Sequence, residues 1–208
     1  MIEVRQSLPE RPYNPLEKRH LAEGVVRALL DKPCGPLPPA KAFGGAGVYA
    51  LYYHGGFEPY APLAKANAKS ECDAPIYVGR ARHAGARKGF EEEDEEDGGQ
   101  QPLYGRLSEH AESIAATSNL KLADFRCRHL VADELWVALA ERLLLETYHP
   151  VWNVVIDGFG NHDPGAGRTN QKRSPWDVLH PGRKWAEKLA PGKQSQRELL
   201  AAIRAHLK

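Results

Sequence analysis

Tyr49 and Tyr77 each belong to a short triplet with a glycine, Gly47-Val48-Tyr49 and Tyr77-Val78-Gly79. The runs around them, Gly47 to Tyr53 and Pro75 to Arg80, are rich in β-branched and aromatic residues and bounded by Gly and Pro. That pattern predicts two strands of a hairpin whose phenols face one pocket. The second run opens into a basic loop, Arg80 to Gly89, with Arg80, Arg82, Arg87 and Lys88 set among small residues. Cations between small side chains suit close approach to phosphate. Further on, Arg106 and His110 are four residues apart, so a guanidinium and an imidazole share one helix face. Singly these features are ordinary. A strand tyrosine serves a core more often than a site, and a helical arginine or histidine is usually at the surface.

The elements that must position these residues follow from spacing. Leu103, Leu107, Ile114 and Ala115 give an apolar face to a helix from Gln101 to Leu120, which carries Arg106 and His110. Leu122 to Val131 alternates and predicts a strand. Asp133 caps a helix from Glu134 to His149, with Leu135, Leu139, Leu143 and Leu144 on its buried side and Glu141 inside it. Pro150 stops that helix, and Val151 to Val155 reads as a short extended piece. Upstream, residues 1–13 read as an irregular arm. Asn14-Pro15-Leu16-Glu17 starts a helix that Leu21, Val25, Ala28 and Leu29 carry to about Leu30. Asp31 to Pro39 reads as a stiff linker.

His54 to Ala74 is a long insertion in the hairpin, with a short helix expected around 61–69; a loop of that length is usually functional or disordered. Gly158 to Pro175 is loop, and a last helix covers Gln194 to Leu207. The fold class is therefore α+β, a small antiparallel sheet flanked by helices. The expected domains are an N-terminal arm and helix (1–40), a core (41–157) and a basic extension (158–208) packed on the core.

Composition sets limits. The 208 residues are 42% hydrophobic and 26% charged. No apolar run approaches the roughly 20 residues that span a bilayer, and Met1 to Arg5 has no signal-peptide character. Cys34, Cys72 and Cys127 are odd in number, far apart and without a CxxC pair. That points to a reducing compartment, the cytoplasm, and away from structural zinc. The net charge is +1, but residues 91–97 are seven consecutive acids; without them 28 basic residues face 20 acidic ones. Residues 158–208 hold ten Lys and Arg against four acids. A basic tail suits a polyanion partner as well as a solvated surface, and the acidic run reads as a solvated loop or a shield for the basic loop before it.

Taken together, the order of these features resembles the GIY-YIG nuclease family over about residues 46–155. Gly47-Val48-Tyr49, Tyr77-Val78-Gly79-Arg80, Arg106 with His110, Glu141, and Pro150 with Asn153 fall in that family's order. The Glu141-x11-Asn153 spacing is similar to its metal-site helix and exit. Two departures, the long gap between the triplets and a histidine at 110 where many members have tyrosine, resemble its type II restriction endonucleases. Among those the chain is similar to the homodimeric group that cuts CCGCGG.

The resemblance implies double-stranded DNA as partner and Mg²⁺, or Mn²⁺ in its place, as cofactor. It implies a one-metal hydrolysis with Tyr49 as general base, His110 receiving the Tyr49 proton, and Tyr77 positioning water. Arg106 would stabilise the phosphate, Glu141 would bind the metal, Asn153 would orient a ligand, and Arg80 would contact the backbone near the scissile bond. Arg82, Arg87, Lys88, Arg168, Lys172 and Arg173 are the candidates for DNA contact or guanine readout. The competing readings are a repair or homing-type nuclease, a DNA-binding protein without catalysis, and a histidine-metal nuclease built on Gly160-Asn161-His162-Asp163.

Overall fold

The computed structural model describes residues 16–83, 100–165 and 171–208. Arg87, Lys88, the acidic run and Arg168 lie outside these residues, as do the arm and the Asn14-Pro15 pair. The elements in order are α1 (Lys18–Leu30), β1 (Gly35–Pro36), β2 (Gly47–Tyr53), α2 (Ala61–Lys69), β3 (Pro75–Ala81), α3 (Pro102–Ala115), β4 (Phe125–Val131), α4 (Glu134–Tyr148), α5 (Val151–Val154), α6 (Pro175–Leu179), α7 (Lys184–Glu187) and α8 (Gln196–His206). The sheet is antiparallel with strand order β1-β4-β2-β3. The α+β arrangement is the one the sequence predicts.

Strand β2 organises both sides of the sheet, and all seven of its residues are buried. Side chains alternate across a strand, so Tyr49, Leu51 and Tyr53 enter a large core with Leu103, Leu107, Trp152, Trp176 and Ile203. Val48, Ala50 and Tyr52 enter a smaller core with Leu29, Ala140 and Leu144. The sheet is thus sandwiched, with α1 and α4 on one face and α3, α5 and the C-terminal helices on the other.

Several expectations are corrected. Val151 to Val154 is helical, not extended. The left-handed His149 at the end of α4 and the extended Pro150 turn the chain into a new helix, and one turn buries both Val151 and Trp152. In α4 the buried stripe is Val137, Ala140 and Leu144, spaced three and four apart; Leu135 is 66% exposed. The helix is apolar on more than one side, and the small Ala140 is what packs in the core of Val48, Ala50 and Val78. The stiff linker contributes β1, which pairs with β4, and buries Leu37. Cys34 and Cys72, far apart in sequence, are joined as a disulfide, while Cys127 is free and buried. Arg128 draws their loops together by donating to the carbonyls of Lys32, Glu71 and Cys72.

The insertion forms its helix at Ala61–Lys69 and is tied into the body. The buried Asn67 amide bonds to the Tyr53 and Ala74 backbone. Tyr60, in a 3₁₀ turn just before α2, bonds through its hydroxyl to His180 Nε2 at 2.6 Å and accepts from Trp152 Nε1 at 2.9 Å. His180 Nδ1 meets Asn119 Oδ1 at 2.9 Å, so the imidazole joins insertion, core and C-terminal segment. Burial lowers its pKa to about 3 from 6.5. The folded protein holds His180 neutral where the unfolded chain protonates it. Its contribution to stability is therefore complete above about pH 6.5 and declines by about 1.4 kcal/mol per pH unit as pH falls towards 3. Urea denaturation as a function of pH should show this slope, and His180→Gln should remove one proton's worth of it relative to wild type.

Candidate active site

Tyr49 stands at the centre of β2, paired with Gly79 of β3 on one side and His129 of β4 on the other. Its ring lies across Gly79, where a Cβ would overlap the Tyr49 hydroxyl. The glycine of the second triplet thus makes room for the tyrosine of the first. Beyond it, the Tyr49 hydroxyl meets His110 Nε2 at 2.5 Å, and both residues are only 1% exposed. Tyr77 leans on the pair, its ring 6.2 Å from Tyr49 and 5.3 Å from His110.

Exclusion of water dominates the electrostatics of the pair. Burial, reinforced by Tyr77, raises the Tyr49 phenol well above its usual 10, against the opposing pull of Arg106. Burial, reinforced by the positive charge of Arg106 and by His162 and Arg183, pushes the His110 imidazole well below 6.5. At neutral pH the pair is a protonated phenol against a neutral imidazole. A neutral ring has one free acceptor nitrogen, so the tautomer protonated on Nδ1 lets the phenol donate to Nε2.

Arg106, one turn before His110 on α3, faces an open cleft of about 420 Å³ that it lines with Arg80, Arg82, Glu109 and His162. Its Nη1 donates to Glu109 Oε2 at 3.0 Å and to His162 Nε2 at 2.6 Å, and its Nη2 donates to the Gly160 carbonyl at 2.8 Å. Glu141 reaches this region from α4, and Arg80 Nε sits 3.0 Å from its Oε2. Burial raises the Glu141 carboxyl pKa, and Arg80 and Arg82 work against that rise.

Six of the expected site residues, Tyr49, Tyr77, Arg80, Arg106, His110 and Glu141, therefore gather around β2, β3 and the cleft, and Arg82 lines it from an exposed position. Asn153 is used differently. Its Oδ1 accepts from the Val78 N–H and its Nδ2 donates to the Val78 carbonyl, both at 2.9 Å. The amide pins β3 rather than offering itself to a ligand. Arg173 donates to the carbonyls of Ala186 and Glu187, holding the chain's own fold, while Lys172 is exposed. Among the described residues no group of three or more His, Cys, Asp or Glu could hold a metal ion. His162 is engaged with Arg106.

Two neighbours escape sequence reasoning: Phe159 stacks on His110 at 4.4 Å between centroids, and the buried Arg183 bonds to Asp177 and to three backbone carbonyls. His162, read from the sequence only within a histidine-metal alternative, meets Arg106. Phe159 had a signal, a lone aromatic bracketed by glycines in a polar loop. Arg183 had a fainter one, a cation between Trp176 and Trp185.

A sheet that sets the two tyrosine-glycine triplets on adjacent strands, with helices bringing an arginine, a histidine and a glutamate to them, is a GIY-YIG nuclease core. The family model described as the Eco29kI GIY-YIG domain matches residues 41–207, and the chain belongs to that family of restriction endonucleases, which act on DNA. No curated protein matches the chain. No helix among the described residues is long and apolar enough to cross a membrane.

The close approach at Gly79 has a direct consequence. Gly79→Ala should cost about 1–3 kcal/mol by overpacking and displace the Tyr49 ring. Urea unfolding should register the loss of stability, and DNA cleavage by the variant that remains folded should be reduced.

Proposed function

We propose that the protein is a type II restriction endonuclease that hydrolyses double-stranded DNA at a short GC-rich palindrome, CCGCGG. In this reading Tyr49 is the general base and Glu141 the ligand of a single Mg²⁺, for which Mn²⁺ can substitute. The observation that carries the reading is the buried 2.5 Å contact between Tyr49 and His110 beside a cleft lined by arginines. A phenol with a raised pKa is a poor base alone. Next to a neutral imidazole it becomes a relay: as the phenol oxygen takes the water proton, its own proton passes to His110 Nε2. Tyr77 orients the water. Arg106 suits the non-bridging phosphate oxygens because its charge is permanent and its donors form a planar fork. It must then exchange His162 or Glu109 for phosphate.

Glu141 fits a hard divalent ion. One half-buried carboxylate beside a cationic cleft leaves the remaining coordination to water and phosphate oxygens, which suits Mg²⁺. When bound, the ion would supply positive charge to the phosphate and the departing oxygen. Arg80, now paired with Glu141, is free to turn to the DNA backbone once that carboxylate is otherwise engaged. Asn153 acts by fixing β3 beneath Tyr77. Arg82 and Lys172 are the exposed described cations offered to DNA; Arg87, Lys88 and Arg168 extend that set. A palindrome read by identical subunits mirrors a two-fold axis, so we take the working form to be a homodimer.

Plasmid digestion tests the reading. With Mg²⁺ the wild-type chain should give discrete fragments that map to CCGCGG, and a smear or uncut DNA would refute site-specific cleavage. Glu141→Ala should lose cutting and keep DNA binding in a gel-shift measurement. Tyr49→Phe should lower kcat by about 10²-fold or more with little change in affinity; wild-type turnover in that variant would dismiss Tyr49 as the base.

A further inference from the structure

The segment 158–162 has neither helix nor strand, yet it touches both Arg106 and His110 of α3. Phe159 lies nearly parallel to the His110 ring, at 16° and 4.4 Å between centroids, and its edge meets Tyr77 at 5.0 Å. Gly160 gives its carbonyl to Arg106 Nη2 at 2.8 Å, and a Cβ there would press on that same nitrogen. His162 accepts from Nη1.

What holds this segment is Arg183. Its Nη2 donates to the Gly158 carbonyl at 2.9 Å, and its Nη1 to those of Phe159 and Asn161 at 3.0 and 3.1 Å. Its Nε donates to Asp177 Oδ1 at 2.7 Å, with both side chains 3% exposed. The guanidinium also lies over the rings of Trp176 and Trp185, at 4.5 and 4.6 Å. Only arginine offers donors in a fixed plane to so many acceptors at once. A buried ion pair seldom adds net stability over an apolar replacement. What this one adds is the path of the backbone from 158 to 161.

We infer that Phe159 and Arg183 are positioning residues of the nuclease site: Arg183 fixes the segment, and the segment holds the His110 ring and the Arg106 guanidinium in register with Tyr49. The inference rests on reading Tyr49 and His110 as the proton-handling pair. The groups that face His110 are Tyr49 from β2, Tyr77 from β3, Arg106 from its own helix, and His162 and Arg183 from the C-terminal segment. Phe159 covers one face of the ring. Removing that cover admits water, which favours the imidazolium.

The test uses the full chain with Phe159→Leu and, separately, Arg183→Lys, each assayed below its own melting temperature. Both should lower kcat on the order of 10- to 100-fold through misplacement, with KM for DNA held within about twofold because binding is left intact. In Phe159→Leu the His110 ring, followed by NMR, should titrate closer to pH 6.5, and the acid limb of the pH–rate profile should move up with it. A folded Phe159→Leu or Arg183→Lys protein with wild-type kcat overturns the inference, as does an unmoved His110 titration in Phe159→Leu. Wild-type cutting by Tyr49→Phe would instead overturn the assignment of the pair, because the ring titration reads Phe159 independently of turnover.

Discussion

The Tyr49–His110 hydrogen bond is buried, each residue only 1% exposed, and the architecture around it follows from that. A buried phenol without a partner would leave its hydroxyl desolvated at a cost of about 1–3 kcal/mol. A buried imidazole carries the same liability. Each satisfies the other, and the two can be so deep only because Gly79 leaves room above the ring and Phe159 closes the far side. The low dielectric that keeps both groups neutral also makes their contact strong. The surrounding aromatic cluster, with Trp152 and Trp176 behind Phe159, serves this exclusion as much as it serves stability.

The parts added to the small sheet are joined to one another as well as to it. Tyr60 from the insertion, Asn119 after α3 and His180 from the C-terminal segment meet in one buried chain of hydrogen bonds. Arg204 on α8 reaches back to Glu58 in the insertion's 3₁₀ turn. The family match from 41 to 207 takes in all of these pieces. The C-terminal segment therefore builds the wall of the cleft that bears Gly160 and His162, in addition to bringing positive charge.

Much of the fold was legible because period and punctuation agree in this sequence. The strand runs around Tyr49 and Tyr77 are short, aromatic and bounded by Gly and Pro, and Asp133 caps α4 through its side chain, as its type and place imply. Legibility ended where tertiary contacts choose between equal local options. Helix α4 has leucines on several sides, so its sequence does not single out the stripe of Ala140 and Leu144. Val151 to Val154 is β-branched in composition, yet one helical turn buries Trp152 and brings Asn153 to Val78. Charge was the least readable feature. Arg173 and Arg183 count towards a basic tail, but both donate inwards to backbone carbonyls. The gathering of Tyr49, Tyr77, Arg106, His110 and Glu141 was legible from their order, whereas the contacts of Arg106 with a distant loop were not.

The amide of Asn153 imitates a peptide group. By accepting from and donating to the same residue of β3, it behaves as one unit of a fifth strand laid against the border of the sheet. Strand β1, at the opposite border, is only two residues long. Capped and very short edges are among the devices by which sheet proteins avoid fusing with one another in solution. The strand that bears Tyr77 and Arg80 is thus anchored on its outer side at Val78, between the two site residues.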